Sequence, residues 1–422
     1  MIWYEDTQRL RQEVLRCMKC GNCQAVCPIY QELRREAGVA RGKIRLVEAY
    51  LGGELPATHG LERRLDLCLT CGACTASCPS GVRFDQIIIS ARAAMIRERG
   101  LPIGKKLLFY GGLRNRRVVK LGLKGAYIVQ RAAFRRHPFR KAGYPRLPIG
   151  LDPRRIVPEV AARPLVEASP PMRVKKPVAQ VAYFAGCLNN YIYTDIGHSV
   201  INVLAKNGVE VSVPREQHCC GIPCFAHGDL DLAREMARSS VDLFWNQRVD
   251  AIITSCATCG VAWKHHFHEL LEGEPSYAEK ARALAQRTFD VAEFLVDVVG
   301  YLPPQGYLQR KVTYHDPCHA NRILNIRRQP RAILQSIPGV EFIEMSNPDR
   351  CCGGAGLLSL THYQLSMRIS ARKVEDIKRT GGEVVATSCP ACRLQLEDAL
   401  NRFGTDTNVV YVTQLLDEAY NL

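Results

Sequence analysis

Two copies of one cysteine string constrain this chain more than any other feature: CMKCGNCQAVCP at residues 17–28 and CLTCGACTASCP at 68–79. Each runs Cys-x2-Cys-x2-Cys-x3-Cys-Pro. Three thiolates at that spacing wrap one corner of an iron–sulfur cubane. Where two such strings occur together, the fourth cysteine of each ligates the other cluster. The expected sets are therefore crossed. Cys17, Cys20, Cys23 and Cys78 would hold one 4Fe–4S cluster, and Cys68, Cys71, Cys74 and Cys27 the second. Gly21 and Gly72 fall where the chain must turn tightly around inorganic sulfide. Structural zinc is the competing reading, but zinc sites use two Cys-x2-Cys pairs per metal and need no third cysteine followed by Cys-Pro.

Nineteen cysteines in 422 residues would mean disulfides in a secreted chain. The opening MIWYEDTQRLRQEV lacks the basic-then-apolar pattern of a signal peptide. No window reaches about 18 consecutive apolar residues, so no membrane-spanning helix is expected. Thiolates used for metal in a reducing cytoplasm fit both facts, with the cytoplasmic face of a membrane as a second location.

The net charge of +16 is concentrated. Residues 104–176 hold 19 Lys and Arg against Asp152, Glu159 and Glu167, and the rest of the chain balances. A basic total raises the question of nucleic acid, but a single basic segment points to one docking surface instead. A solvated linker packed in part on its own domains is the plain reading of the segment; docking on an acidic partner subunit comes next, and peripheral membrane contact after it.

Four regions are expected. Residues 1–103 form the cluster-binding head. The stretch between Cys27 and Cys68 is too long for short hairpins and carries helical spacing, as does VRFDQIIISARAAMIRERG after Cys78, so the head reads as all-helical. Residues 104–176 are the basic segment, rich in proline and extended from His137 onward. Residues 177–305 and 306–422 repeat one another: VAYFAGC187 matches VTYHDPC318, HCCG at 218–221 matches RCCG at 350–353, and AIITSCATCG matches VVATSCPACR. Each half alternates strands and helices as in a parallel α/β sheet, with expected strands at 179–185, 251–255, 311–315 and 383–387 and long helices at 229–247 and 359–379. The fold class is thus α plus α/β: a helical two-cluster head followed by two repeated cysteine-rich modules.

The first module holds Cys187, Cys219, Cys220, Cys256 and Cys259, and the second Cys318, Cys351, Cys352, Cys389 and Cys392, at offsets of 131 to 133 residues. Open parallel sheets gather ligands at the carboxyl ends of their strands, so these thiols should meet at one sheet edge. The spacings Cys-x31-Cys-Cys-x35-Cys-x2-Cys and Cys-x32-Cys-Cys-x36-Cys-x2-Cys resemble the CCG domains of heterodisulfide reductases. Two of them behind a two-cluster ferredoxin resemble the iron–sulfur subunits of glycolate oxidase, of anaerobic glycerol-3-phosphate dehydrogenase and of lactate-utilisation systems. The resemblance implies one or two further, noncubane 4Fe–4S clusters on the two five-cysteine sets, with an ordinary cubane or a zinc ion as the alternative in one of them. It also implies a partner flavoprotein dehydrogenase carrying FAD, with quinone or an electron-transferring flavoprotein as the outlet.

No Walker loop, dinucleotide glycine fingerprint or Ser-His-Asp set is present, so no flavin or nicotinamide is expected in this chain. Electron relay for a flavin-dependent 2-hydroxyacid dehydrogenase is therefore the leading expectation, and disulfide cleavage at a CCG site the alternative. Cys224 is unmatched in the repeat, its counterpart being Gly356, and reads as a buried free thiol. His218, His315 and His319 flank ligand cysteines and either serve cluster sulfur or satisfy loop carbonyls. The run HHFHE at 265–269 reads as lining rather than as a metal site.

Overall fold

The computed structural model describes residues 5–146, 150–169, 172–354 and 357–422. Gly356 lies outside the described residues. The head is helical, as its periodicity requires. Its main helices are Thr7–Leu15, Ala40–Leu51, His59–Asp66 and Phe84–Arg99. The last buries Ile87, Ile88 and Ala91 completely, which makes it the spine on which both cysteine strings are hung. Gly21 and Gly72 take the left-handed conformation (φ +89° and +72°) at the starts of the short helices that carry the third cysteine of each string.

The basic segment has two parts with different fates. Its first part is the Arg116–Ala133 helix. Its second part opens with β1 (Phe134–Arg136) and β2 (Ala142–Pro145), and β3 (Val157–Pro158) completes a small antiparallel sheet in the order β1-β2-β3. This strap is tied to the C-terminal module. Arg140 donates to the carbonyls of Glu397 (2.6 Å) and Thr407 (3.2 Å). Tyr144 donates to Asn401 (2.6 Å), and Arg155 to the Ser359 carbonyl (2.8 Å). Several of its charges are therefore spent inside the molecule.

The two modules have one topology. In the first, β4 (Ala179–Phe184), β5 (Val209–Ser212), β6 (Ala251–Thr254) and β7 (Thr288–Asp290) form a parallel sheet ordered β5-β4-β6-β7. In the second, β8 (Arg310–His315), β9 (Val340–Phe342), β10 (Val384–Thr387) and β11 (Asn408–Tyr411) repeat it as β9-β8-β10-β11. The central strands are buried on both faces, as crossover helices demand. The long helix expected at 359–379 is broken at His362 into Leu358–Thr361 and Tyr363–Thr380. His362 leaves the helical conformation there (φ −137°, ψ 54°), and its ring lies against the Thr361 hydroxyl at 2.9 Å.

The modules pack through the helices Thr194–Lys206 and Val412–Asn421. Ser199 and Thr413 hydroxyls meet at 2.8 Å between them, and Tyr193 reaches across to Glu397 at 2.8 Å. A shared apolar core of Val181, Tyr183, Ile253, Val312, Tyr314 and Tyr411 fills the space between the sheets.

Candidate metal centres

The two cysteine strings meet across the head as the crossed arrangement requires. One cavity, with about 420 Å3 of empty space, is lined by Cys17, Cys20, Cys23 and Cys78, with Cys74 at its wall. A second, of about 470 Å3, is lined by Cys27, Cys68, Cys71 and Cys74. Electrostatics agree with this grouping. Burial pushes the Cys27 thiol up to about 11, and its nearest charged thiols are Cys68 and Cys71 of the other string. Burial and the Cys68 and Cys71 thiols likewise raise Cys74 well above the ordinary value. Four soft sulfur donors around each space are the donor set that an iron–sulfur cubane takes, so the residues fit the group. Cys74, which touches both cavities, makes them neighbours.

The second cavity also holds a buried cation. Lys43 is 1% exposed, and its ammonium donates to the Gly38 carbonyl at 2.6 Å. Cys27 Sγ lies 3.8 Å from that same carbonyl. Sequence reasoning missed Lys43, since a lysine on an amphipathic helix ordinarily faces water.

In each module the thiols gather where the strand order reverses, beyond the ends of β4 and β6 and of β8 and β10. Cys256 and Cys389 are the N-cap residues of the helices Ala257–Val261 and Pro390–Arg402. Gly221 and Gly353, which follow the cysteine pairs, are left-handed (φ +78° and +90°). A Cβ on Gly353 would lie 2.6 Å from the Ser366 carbonyl oxygen, so the turn that presents Cys351 and Cys352 admits only glycine. Paired hydrogen bonds brace both sites: Tyr183 to Ser255, and Tyr314 to Ser388 at 3.0 Å.

Within the first set the thiols of Cys187 and Cys219, Cys219 and Cys220, Cys220 and Cys259, and Cys259 and Cys256 are in mutual contact. The thiols of Cys219 and Cys259 together hold Cys220 well below the ordinary thiol range, at about 5. In the second set Cys351 and Cys392 do the same to Cys352. The two sets also touch, because the Cys256 thiol reaches Cys389 across the modules. The second set in turn adjoins the head, since Cys71 is among the charged neighbours of Cys318 and Cys351.

The remaining residues singled out from sequence divide cleanly. Cys224 is fully buried, and burial pushes its thiol up to about 12. His218 Nδ1 lies 2.8 Å from the Cys219 carbonyl. His319 bridges Thr258 (3.1 Å) and the Thr70 carbonyl (3.4 Å), joining head and both modules. His266 pairs with Glu269 at 3.2 Å and lies 4.4 Å from the Phe225 ring, a lining role. His315, by contrast, turns its ring into a thiol set.

Family comparisons agree with this geometry. The cysteine-rich CCG domain matches residues 181–264 and 312–397, and the 4Fe–4S dicluster domain matches residues 13–82. The probable glycolate oxidase iron–sulfur subunit of Bacillus subtilis is 31% identical, covering 96% of this chain and 94% of its own length. The chain belongs to that iron–sulfur subunit family. The dihydromethanophenazine:CoB–CoM heterodisulfide reductase of Methanosarcina mazei has a subunit that is 28% identical, over 99% of this chain and 97% of its own length. These relatives are oxidoreductase subunits. A hypothetical protein from Helicobacter pylori shares the fold alone, with a TM-score of 0.54 at 9% identity over 99% of this chain and 77% of that one. Among the described residues of this CCG-domain iron–sulfur protein, no helix is long and apolar enough to cross a membrane.

Proposed function

We propose that this chain is the electron-relay subunit of a flavin-dependent 2-hydroxyacid dehydrogenase, serving glycolate or lactate oxidation. The observation that carries the reading is the unbroken succession of thiol sets. Cys74 joins the two head cavities, Cys71 adjoins Cys318 and Cys351, and Cys256 meets Cys389. Bound iron–sulfur clusters supply one-electron transfer and no hydride chemistry, so substrate oxidation falls to a flavoprotein partner carrying FAD. The chain's own task is to hold the four sites in line, bury them and keep water out. Two cubanes in the head (1–103) and one noncubane cluster in each module (177–305 and 306–422) are the proposed complement. Quinone or an electron-transferring flavoprotein is the proposed outlet.

The Arg116–Ala133 helix supports a docking role in a changed form. Its exposed apolar side chains Val118, Leu121, Ile128 and Val129 form one face. Cations at its polar side turn back toward the protein, with Lys120 on Glu167 at 2.5 Å, and Arg114 just before the helix sits on Glu235 at 2.9 Å. The partner flavoprotein is the proposed occupant of this apolar face.

Reconstitution tests the reading. The chain alone should oxidise neither glycolate nor lactate with an artificial acceptor, and its clusters should bleach when flavoprotein and substrate are added. Iron of about 16 atoms per chain is expected with four filled sites and about 8 with the head alone. A second reading, disulfide cleavage between the modules, is favoured by the meeting of two complete five-cysteine sets at Cys256 and Cys389. Rapid reduction of a thiol-cofactor disulfide by the isolated chain would establish it and displace the relay.

A further inference from the structure

The two CCG sites are built on one plan, yet one position breaks the symmetry. The last residue of β4 is Phe184, and the matching last residue of β8 is His315. In the first module Phe184 is walled in by Phe244 and Trp263, with ring centroids 5.7 Å and 5.5 Å away. In the second module His315 is 0% exposed, its ring lies beside the Cys352 thiol, and neither ring nitrogen has a nitrogen or oxygen partner. Among the described residues, a donor nitrogen of His315 and the sulfurs of Cys352 and Cys392 lie within 4.8 Å of one another.

An imidazole carries one N–H donor and one lone-pair acceptor. Burying both without a partner is costly, and proteins rarely leave such a group in place. Two cysteine sulfurs at this range supply the missing partner through a shared metal. Imidazole and thiolate together suit iron and zinc alike, and the five cysteines of the set are more than a four-coordinate zinc ion takes. Of the other two histidines near ligand cysteines, His319 has both ring nitrogens on oxygens and His218 has its Nδ1 on the Cys219 carbonyl.

We propose that His315 is a nitrogen ligand of the second CCG site, which makes that site five thiolates and one imidazole while the first remains all-thiolate. The inference rests on the reading that the second thiol set holds an iron–sulfur cluster. The thiolate count of the two sites is equal, so the imidazole is an added donor rather than a replacement for a charged ligand, and the two CCG sites then differ in ligand field although their sequences repeat.

The test uses the anaerobically purified holoprotein, reduced and examined by pulsed EPR hyperfine spectroscopy with natural and 15N-labelled histidine. The expected result is a strong, directly bonded nitrogen coupling that changes isotope pattern on labelling and disappears in His315→Phe, the first module's own residue. It should survive in His218→Ala and His319→Ala. In His315→Phe the midpoint potential of the same centre should shift while total iron stays unchanged. An iron centre at the second set with no histidine coupling overturns the inference and leaves the cluster reading intact, as does a coupling that survives His315→Phe. If Cys318→Ser and Cys351→Ser remove no iron and no signal, the cluster reading itself is wrong and the inference falls with it. The labelling arm needs no variant, so a folding defect in His315→Phe does not spare the proposal.

Discussion

Lys43→Met should lower the potential of the inner head cluster by about 100 mV. The Gly38 carbonyl lies 2.6 Å from Lys43 Nζ and 3.8 Å from Cys27 Sγ, which puts the cation within about 6.4 Å of a ligand sulfur. At about 6 Å and an effective dielectric of about 20, one unit charge contributes roughly 3 kcal/mol. At 59 mV per tenfold change for one electron, that corresponds to about 120 mV. Relaxation and solvent entry reduce it, so a fall of 60–120 mV is the working range, on the order of one to two tenfold steps. Burial lowers the Lys43 ammonium below its ordinary value, and the thiolates of Cys68 and Cys27 partly oppose it. Methionine keeps the length of the side chain and removes the charge, leaving the Gly38 carbonyl without its donor. The assay is a redox titration followed by EPR, in which the inner cluster is identified by its loss in Cys71→Ser. Lys43→Arg, which keeps the charge, serves as the control. A shift below about 20 mV, or an upward one, would refute the claim that this buried cation sets the potential.

Cys78→Ser should perturb the cluster of Cys17, Cys20 and Cys23 and spare its sequence neighbours Cys68, Cys71 and Cys74; EPR showing the opposite pattern would undo the crossed arrangement. Asp290 is buried at the end of β7, its Oδ2 has no partner, and burial raises its carboxyl from 3.8 to about 7. The folded chain therefore keeps a proton that the unfolded chain has released, and stability falls as pH rises from about 4 through about 7. Asp290→Asn should be more stable than the parent at pH 8 by roughly 2–4 kcal/mol, with the gap closing toward pH 4; a gap independent of pH in chemical denaturation would contradict this. The double variant Leu121→Glu with Ile128→Glu should release the partner flavoprotein in pull-down or gel filtration, while 0.5 M salt should have little effect. Release by salt alone would reassign docking to the cations.

The cysteine spacings were sufficient for the repeat and the parallel α/β class, and they named the thiols that the structure groups around each head cavity, because strand alternation and cysteine strings are local patterns of period and separation. The strands expected at 251–255 and 383–387 appear at Ala251–Thr254 and Val384–Thr387 for that reason. What the sequence could not state is which sites touch. That Cys256 meets Cys389, that Cys71 adjoins Cys318, and that Lys43 lies beside Cys27 depend on how three separately folded units pack, and packing leaves no periodic trace. The same holds for the basic segment. Its charge is legible in composition, but only the tertiary structure spends Arg140 and Arg155 on the second module and turns Leu121 and Ile128 outward. The repeat makes Phe184 and His315 equivalent in register. Only burial, which strips His315 of water and leaves two cysteine sulfurs as its polar neighbours, makes them different in chemistry.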